Sequence, residues 1–384
     1  MKTVRLGDCL TKVETWNPAR TGADVKFSYI DISSVNQQSK QIENAELVAC
    51  SKAPSRARQL VKVDDVLVSS VRPNLNAVAK VLDDTNKATA STGFCVLRAN
   101  TNVIDPNYLF NWVKNELFVS DMVKKATGAS YPAVSDKIIF NSSIPLPPLA
   151  QQQRIAAILD KAAEIKAKRE QAIAKLDELA IAIFEEAVSR SQTIEALGEL
   201  CDVRDGTHDS PKYVAEGFPL ITSRNIVDGK IDASTANYIN EEDYMEICKR
   251  SRVDHGDILM PMIGTIGNPV IVKELTPKFA IKNVALIKFK SNSPSNIYIN
   301  AFLKSRHFYK YVNKLSRGGT QKFLGLGDIR KLPIPMLAKE SEVEFCTRLQ
   351  RTNMLREQTI LKLAKVNSLV ASLQHQAFTT GFNA

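Results

Sequence analysis

The chain lacks most features that would mark a membrane, secreted or metal-binding protein. Its 384 residues contain no apolar run near the roughly 18 needed to cross a bilayer. The start, MKTVRLGDCL, does not have the pattern of a secretory signal peptide. Cysteine is sparse, with six residues at Cys9, Cys50, Cys95, Cys201, Cys248 and Cys346 and no CxxC pair. The four histidines do not cluster beside them. This argues against a zinc site or disulfide framework and for buried, reduced thiols in a cytoplasmic protein. No GxxxxGKS or GxxxxGKT phosphate loop is present, and no HExxH pair. Gly264-Thr265-Ile266-Gly267 and Gly318-Gly319-Thr320 are too short for a nucleotide fingerprint.

What is present is positive charge. A net charge of +10 and a pI near 9.2 favour a polyanionic partner. Hydrophobic content of 44% and charged content of 24% are ordinary for a soluble protein. The length allows two or more cores.

The chain also repeats itself. IDPNYLFNWVKNELFVSDMVKKATGAS, from Ile104, matches PSNIYINAFLKSRHFYKYVNKLSRGGT, from Pro294. Tyr108 falls on Tyr298, Trp112 on Phe302, Phe118 on Phe308, Lys124 on Lys314 and Gly128 on Gly318, each 190 residues on. The same offset joins Pro145 to Pro335 and Ala187 to Ala377. VRLGDCL at the start resembles EALGELC around Leu197-Gly198. Two tandem units follow, each a globular region and then a long helix. The globular regions read as mixed α/β, that is α+β. VKVDDVLVSSVRP, AVAKVL and TGFCVLRA have strand character, as do GDILMPMIGTIGNPVIV and NVALIKFK. The stretches from Asn107 and Asn296 carry aromatics at helical spacing, with Tyr108, Trp112 and then Phe118 or Val119 on one buried face. The expected division is 1–147, a central helix over 148–190, 195–337, and a C-terminal helix over 338–380.

Both long helices have heptad character. The seam of the first holds Ile155, Leu159, Ile173, Leu176 and Ile183, and that of the second Phe345, Leu349, Leu363, Val366 and Leu373. Charged residues interrupt it at Lys166, Arg169 and Arg356. Ser341 and Glu344 suggest a capping-box start for the second helix. Matched seams predict that the helices pair with each other. At 1.5 Å per residue, about 38 residues span roughly 57 Å. That exceeds the roughly 34–36 Å of one B-DNA turn, so such helices suit a ruler between two readers.

Catalytic chemistry has one candidate. Asp105-Pro106-Asn107-Tyr108 is similar to the D/N-P-P-Y/F motif of amino-methyltransferases, where the aromatic stacks on a flipped base. Here Asn107 replaces the second proline, no glycine-rich cofactor loop precedes it, and the repeat keeps only Tyr298. A helix start, with Asp105 as cap and Pro106 in the first turn, fits better. His208 near Asp205 and Asp209 lies in DGTHDSPKY, which reads as a polar loop.

Binding candidates lie in polar loops. Arg72, Asn74 and Asn76 follow a predicted strand, and Arg and Asn can pair bidentately with guanine and adenine. Lys124 and Lys125 precede Ser130 and Tyr131, and Lys314 precedes Arg317, Thr320 and Lys322. Both suit phosphate contact. Thr207, His208, Lys212, Arg224, Asn225 and Thr265 are the comparable residues of the second unit.

The junction IPLPPLAQQQRIAAILDKA, the repeated long helices and the closing SLQHQAF resemble the specificity subunit of type I restriction-modification systems. So do VRDGTHDSPKY, GDILMPMIGTIGN and VDDVLVSSVRPNLNAVA, which are similar to target-recognition segments. The resemblance covers essentially the whole chain. It implies two target recognition domains on antiparallel helices, each reading half of a split site in double-stranded DNA. It implies docking of two modification subunits, which bind S-adenosylmethionine, and of restriction subunits that use ATP and Mg. The chain itself would be non-catalytic, with no cofactor. Two alternatives stand beside this reading: a stand-alone DNA adenine methyltransferase using Asp105 to Tyr108, and a coiled-coil scaffold with no DNA role.

Overall fold

The computed structural model describes residues 2–22, 25–227, 229–264, 266–315 and 323–382. The chain forms two compact units. The first comprises Met1–Glu170 with Leu361–Ala384, and the second Gln171–Ile360. Each takes one half of the central helix Leu149–Ser189 and one half of the C-terminal helix Lys339–Thr379.

In the first unit, Thr3–Arg5 pairs antiparallel with Ser143–Pro145, just before the central helix. A four-stranded sheet runs in the order Val78–Lys80, Val66–Ser69, Phe94–Ala99, Leu10–Thr11. A five-stranded sheet includes the parallel pair Thr89–Ser91 and Lys26–Ile30. Strand alternation divides the core. Val66 and Val68 face the helices, packing with Tyr108, Trp112, Ile155 and Phe378. Leu67 faces the opposite way, among Ile30, Val81 and Phe94.

The second unit repeats the plan. Thr193–Ala196 pairs with Pro333–Met336, and Phe218–Ile221 runs parallel to Ala280–Ile281. Ile258 and Met260 join the helices in one core, while Leu259 joins Ile221, Val272 and Phe279 in another.

The aromatic-rich segments differ from a single helical face. Each is two helices: Pro106–Lys114 then Glu116–Lys125, and Asn296–Lys304 then Arg306–Leu315. Asn115 makes the break by leaving helical geometry and accepting the Leu117 amide at 2.9 Å. Phe118 still meets Trp112, at 6.3 Å between ring centroids. The start of the C-terminal helix also differs. Lys339 precedes Ser341, so Ser341 lies inside the helix rather than capping it. Glu342 instead reaches the Ser295 amide at 2.5 Å.

The helices pack antiparallel. In the first unit Ile155 and Leu159 share a core with Ala377 and Phe378. In the second, Ile183 and Ala187 share one with Phe345 and Leu349. Ile173, Leu176, Leu363, Val366 and Leu373 are half-buried. The polar interruption is partly paired: Arg356 donates to Asp177 at 2.5 Å. Lys166 lies 3.9 Å from Glu170, whereas the buried Nε of Arg169 has no hydrogen-bond partner among the described residues. Four cysteines are buried, while Cys248 and Cys346 are half-buried; all six are free. Among the described residues no helix is long and apolar enough to cross a membrane.

Candidate nucleic-acid interface

Asp105 accepts the Tyr108 amide at 2.9 Å, with Pro106 in the first turn of the helix. Tyr108 is fully buried, and its hydroxyl donates to the Pro145 carbonyl at 2.8 Å. Asn107 accepts from Lys80 Nζ at 2.5 Å. Such a tyrosine cannot stack on an extruded base. These residues start a helix and fasten it to the entry of the central helix. Tyr298 does the same with the Pro335 carbonyl.

The binding candidates of the first unit converge. The strand Val66–Ser69 ends in a turn whose Val71 bridges to Ala133, which also bridges to Thr127. This sets Arg72 beside Tyr131, with its guanidinium carbon 4.8 Å from the ring centroid. Arg72 is exposed, and Tyr131 is 69% exposed. Arg72 adopts φ 50°, a left-handed conformation that is rare outside glycine, and its amide donates to the Pro132 carbonyl at 2.7 Å. Asn74 and Ser130 are exposed nearby in sequence, on the same two loops. Asn76 is half-buried, and its amide reaches the Lys114 carbonyl at 3.3 Å, so it braces the turn. Lys124 and Lys125 are exposed, and Lys125 is paired with Asp121 at 2.7 Å.

The second unit repeats the bridge, as Ile263 to Phe323, and Leu324 donates to the Met262 carbonyl as Val134 does to that of Ser70. Thr265, Arg317, Thr320 and Lys322 lie outside the described residues. A second cluster forms where Thr207 bridges to Lys282. There His208 places Nδ1 2.8 Å from Asn283 Oδ1 and Nε2 2.7 Å from Asp205 Oδ2. Two oxygen partners favour the doubly protonated ring. The bond to Asn283 and then that to Asp205 raise the His208 pKa above its ordinary value. Arg250 holds the other oxygen of the buried Asp205. His208, Asp205 and Arg250 thus form an ion-pair network. Among the described residues no group of three or more His, Cys, Asp or Glu is placed to hold a metal. Lys212 and Arg224 are exposed. Asn225 is 3% exposed and spends its side chain on Thr222, Asp232 and Thr235, so it holds a turn and offers no edge to a base.

Sequence reasoning missed Asn283 and Lys282, the latter donating to Ser210 at 2.6 Å. They are distant in sequence from His208 and announce themselves only through the strand bridge. It also missed Arg306 and Lys310, whose four-residue spacing before Lys314 was readable.

On the first-unit halves of the long helices, an apolar groove of about 460 Å³ runs between Ile158, Ile165, Val366, Leu369 and Leu373. Arg154 and Lys161 stand at its side.

The type I restriction modification DNA specificity domain model matches residues 5–176 and again 193–365. Over 297 residues the chain is 25% identical to the MjaVIII specificity subunit of Methanocaldococcus jannaschii, covering 71% of this chain and 69% of that one. With the EcoKI specificity subunit of Escherichia coli K12 it shares 21% over 388 residues, 92% and 82% of the two chains. A chain from a solved type I restriction-modification system has the same fold, with TM-score 0.64 and 22% identity over 99% of this chain and 98% of that one. A type I S subunit from M. genitalium gives TM-score 0.61 and 15% identity, over 98% and 96%. Matched twice in tandem across most of its length, the chain belongs to the type I restriction modification DNA specificity domain family.

Proposed function

We infer that this chain is the non-catalytic DNA-specificity subunit of a type I restriction-modification complex, and that each unit reads one half of a bipartite target. The observation that carries this is the duplicated strand-end turn, bridged as Val71 to Ala133 and as Ile263 to Phe323. Two like readers require a spacer, and the continuous helices Leu149–Ser189 and Lys339–Thr379 supply one. The recognition domains are proposed at 1–147 and 195–337, and the helical segments at 148–190 and 338–380. Arg72, Asn74, Ser130 and Tyr131 are proposed to face bases or backbone in one half-site, with Lys124 and Lys125 on phosphates. Thr207, His208, Lys212, Arg224, Thr265, Arg317, Thr320 and Lys322 are proposed for the other. Two modification subunits dock on the helices, and the apolar groove beside Ile165 and Leu369 suits one of them. Those partners, with restriction subunits, carry S-adenosylmethionine, ATP and Mg; this chain chooses the sequence.

The test is methylome sequencing of cells carrying an exchange of residues 1–144 for the matching domain of a relative. One half of the methylated motif should change and the other stay. The incoming domain must keep a face for Phe378, which sits 5.3 Å from Tyr108 and 5.2 Å from Trp112 between ring centroids. A change in both halves overturns the two-reader model.

A further inference from the structure

The helix Arg306–Leu315 carries a charge pattern that its repeat partner does not. Arg306, Lys310 and Lys314 stand four residues apart, so one face gathers three cations about 6 Å apart along the axis. Tyr309 and Asn313 complete an open basin of about 680 Å³ between them. All five residues are exposed. Arg306 has one partner, Glu185 at 3.2 Å, while Lys310 and Lys314 have no ion pair among the described residues. In the first unit the equivalent positions of Glu116–Lys125 hold Glu116, Val119, Ser120, Val123 and Lys124. Only the last cation is shared.

We propose that the Arg306–Lys310–Lys314 face is a DNA-backbone track, which clamps phosphates for the second unit alone. Its place supports this. A side chain grown from Gly267 would meet the Tyr309 ring at once, with the hydroxyl 2.6 Å away. The helix therefore abuts the loop after Ile258–Pro261, the counterpart of the Arg72 turn. Its position beside the loop after Ile258–Pro261 favours DNA over a modification subunit, whose proposed seat is on the long helices. A planar guanidinium and two ammonium groups suit phosphate oxygens.

The inference rests on the DNA-specificity reading, and one experiment separates them. The chain assembled with its partner subunits is titrated with target duplex over a range of salt. The double variant Lys310→Gln, Lys314→Gln should flatten the slope of log K against log salt by about 1.8, because each phosphate contributes roughly 0.9. The methylated motif should not change. Lys310→Arg with Lys314→Arg should restore the slope, which guards against a folding artefact. An unchanged slope in the Gln variant, with wild type steep, overturns the track and leaves the specificity reading standing. Lost assembly with the partner subunits at an unchanged slope assigns the face to protein and also overturns it. A flat slope for wild type itself removes both.

Discussion

Arg98 grips Asp65 with two parallel bonds, Nε to Oδ1 at 2.9 Å and Nη2 to Oδ2 at 2.7 Å. Asp65 is 2% exposed and also accepts the Lys62 amide at 2.8 Å. The second unit rebuilds the device with another cation. Lys288 donates to Asp257 at 2.7 Å, and Asp257 accepts the Asp254 amide at 2.7 Å. In both, a buried carboxylate just before a core strand ties that strand to its neighbour. Asp65→Ala leaves the guanidinium of Arg98 in a site where it is mostly buried. The expected cost is about 3–5 kcal/mol, the range for breaking a buried pair. Urea unfolding of wild type and variant measures it; a loss below about 1 kcal/mol would mean that water repairs the site.

The repeat made much of this architecture legible. The pairing of Tyr108 with Tyr298 and of Pro145 with Pro335 marked a contact that the fold makes in each unit, tyrosine hydroxyl to proline carbonyl. Heptad spacing marked the helical seam because side chains three and four apart share a face. The break at Asn115 is hidden in the sequence. Aromatic periodicity runs on through it, and an asparagine cap is visible only once its side chain is seen on the Leu117 amide. The sequence does not separate Asn225 from the other binding candidates, because an Asn in a polar loop looks alike whether it points outward or pins its own turn. The His208 network joins Asp205, Arg250 and Asn283, which no local pattern links.

Strain and exposure together single out Arg72. A left-handed non-glycine residue before Pro73 costs of order 1–3 kcal/mol, and glycine would relieve it. Arg72→Gly should therefore hold or raise the thermal midpoint. If the guanidinium pairs with a base, the same change should cost about 1–3 kcal/mol of binding and relax one position of one half-site. Calorimetry and methylome sequencing read the two effects separately. A uniform loss of affinity over all sequences would place Arg72 on phosphate instead.

The raised pKa of His208 gives a pH test. Its proton is held by Asn283 and then Asp205, so the folded value lies above the ordinary 6.5. The sign follows. The stabilising charge is fully present below that ordinary value and is lost as pH rises through the folded pKa. With His208 on the DNA face, affinity of the assembled complex should fall over that rise, and His208→Gln should remove the dependence. The comparison is binding of both proteins from about pH 6 to about pH 9, a range that brackets histidine. Parallel curves would take His208 off the DNA.

The spacer can be tested by lengthening the central helix. Four residues inserted after Leu179 enter a stretch flanked by the Asp177–Arg356 pair and by Ile183 in its core with Phe345. The helix grows by about 6 Å, and its distal end turns by roughly 40°. Each base pair of B-DNA advances about 3.4 Å and turns roughly 34–36°. Translation thus asks for nearly two more base pairs, and rotation for about one. The seam must also find new partners on the C-terminal helix, which absorbs some of the length. The expected motif has a spacer longer by about one base pair, at most two, with both half-site sequences unchanged. The measurement is the methylated motif in cells that carry the insertion with the native modification subunit. An active enzyme with an unchanged spacer would show that this helix does not set the distance. Where activity is lost, a seven-residue insertion keeps the heptad phase and repeats the test on an intact seam.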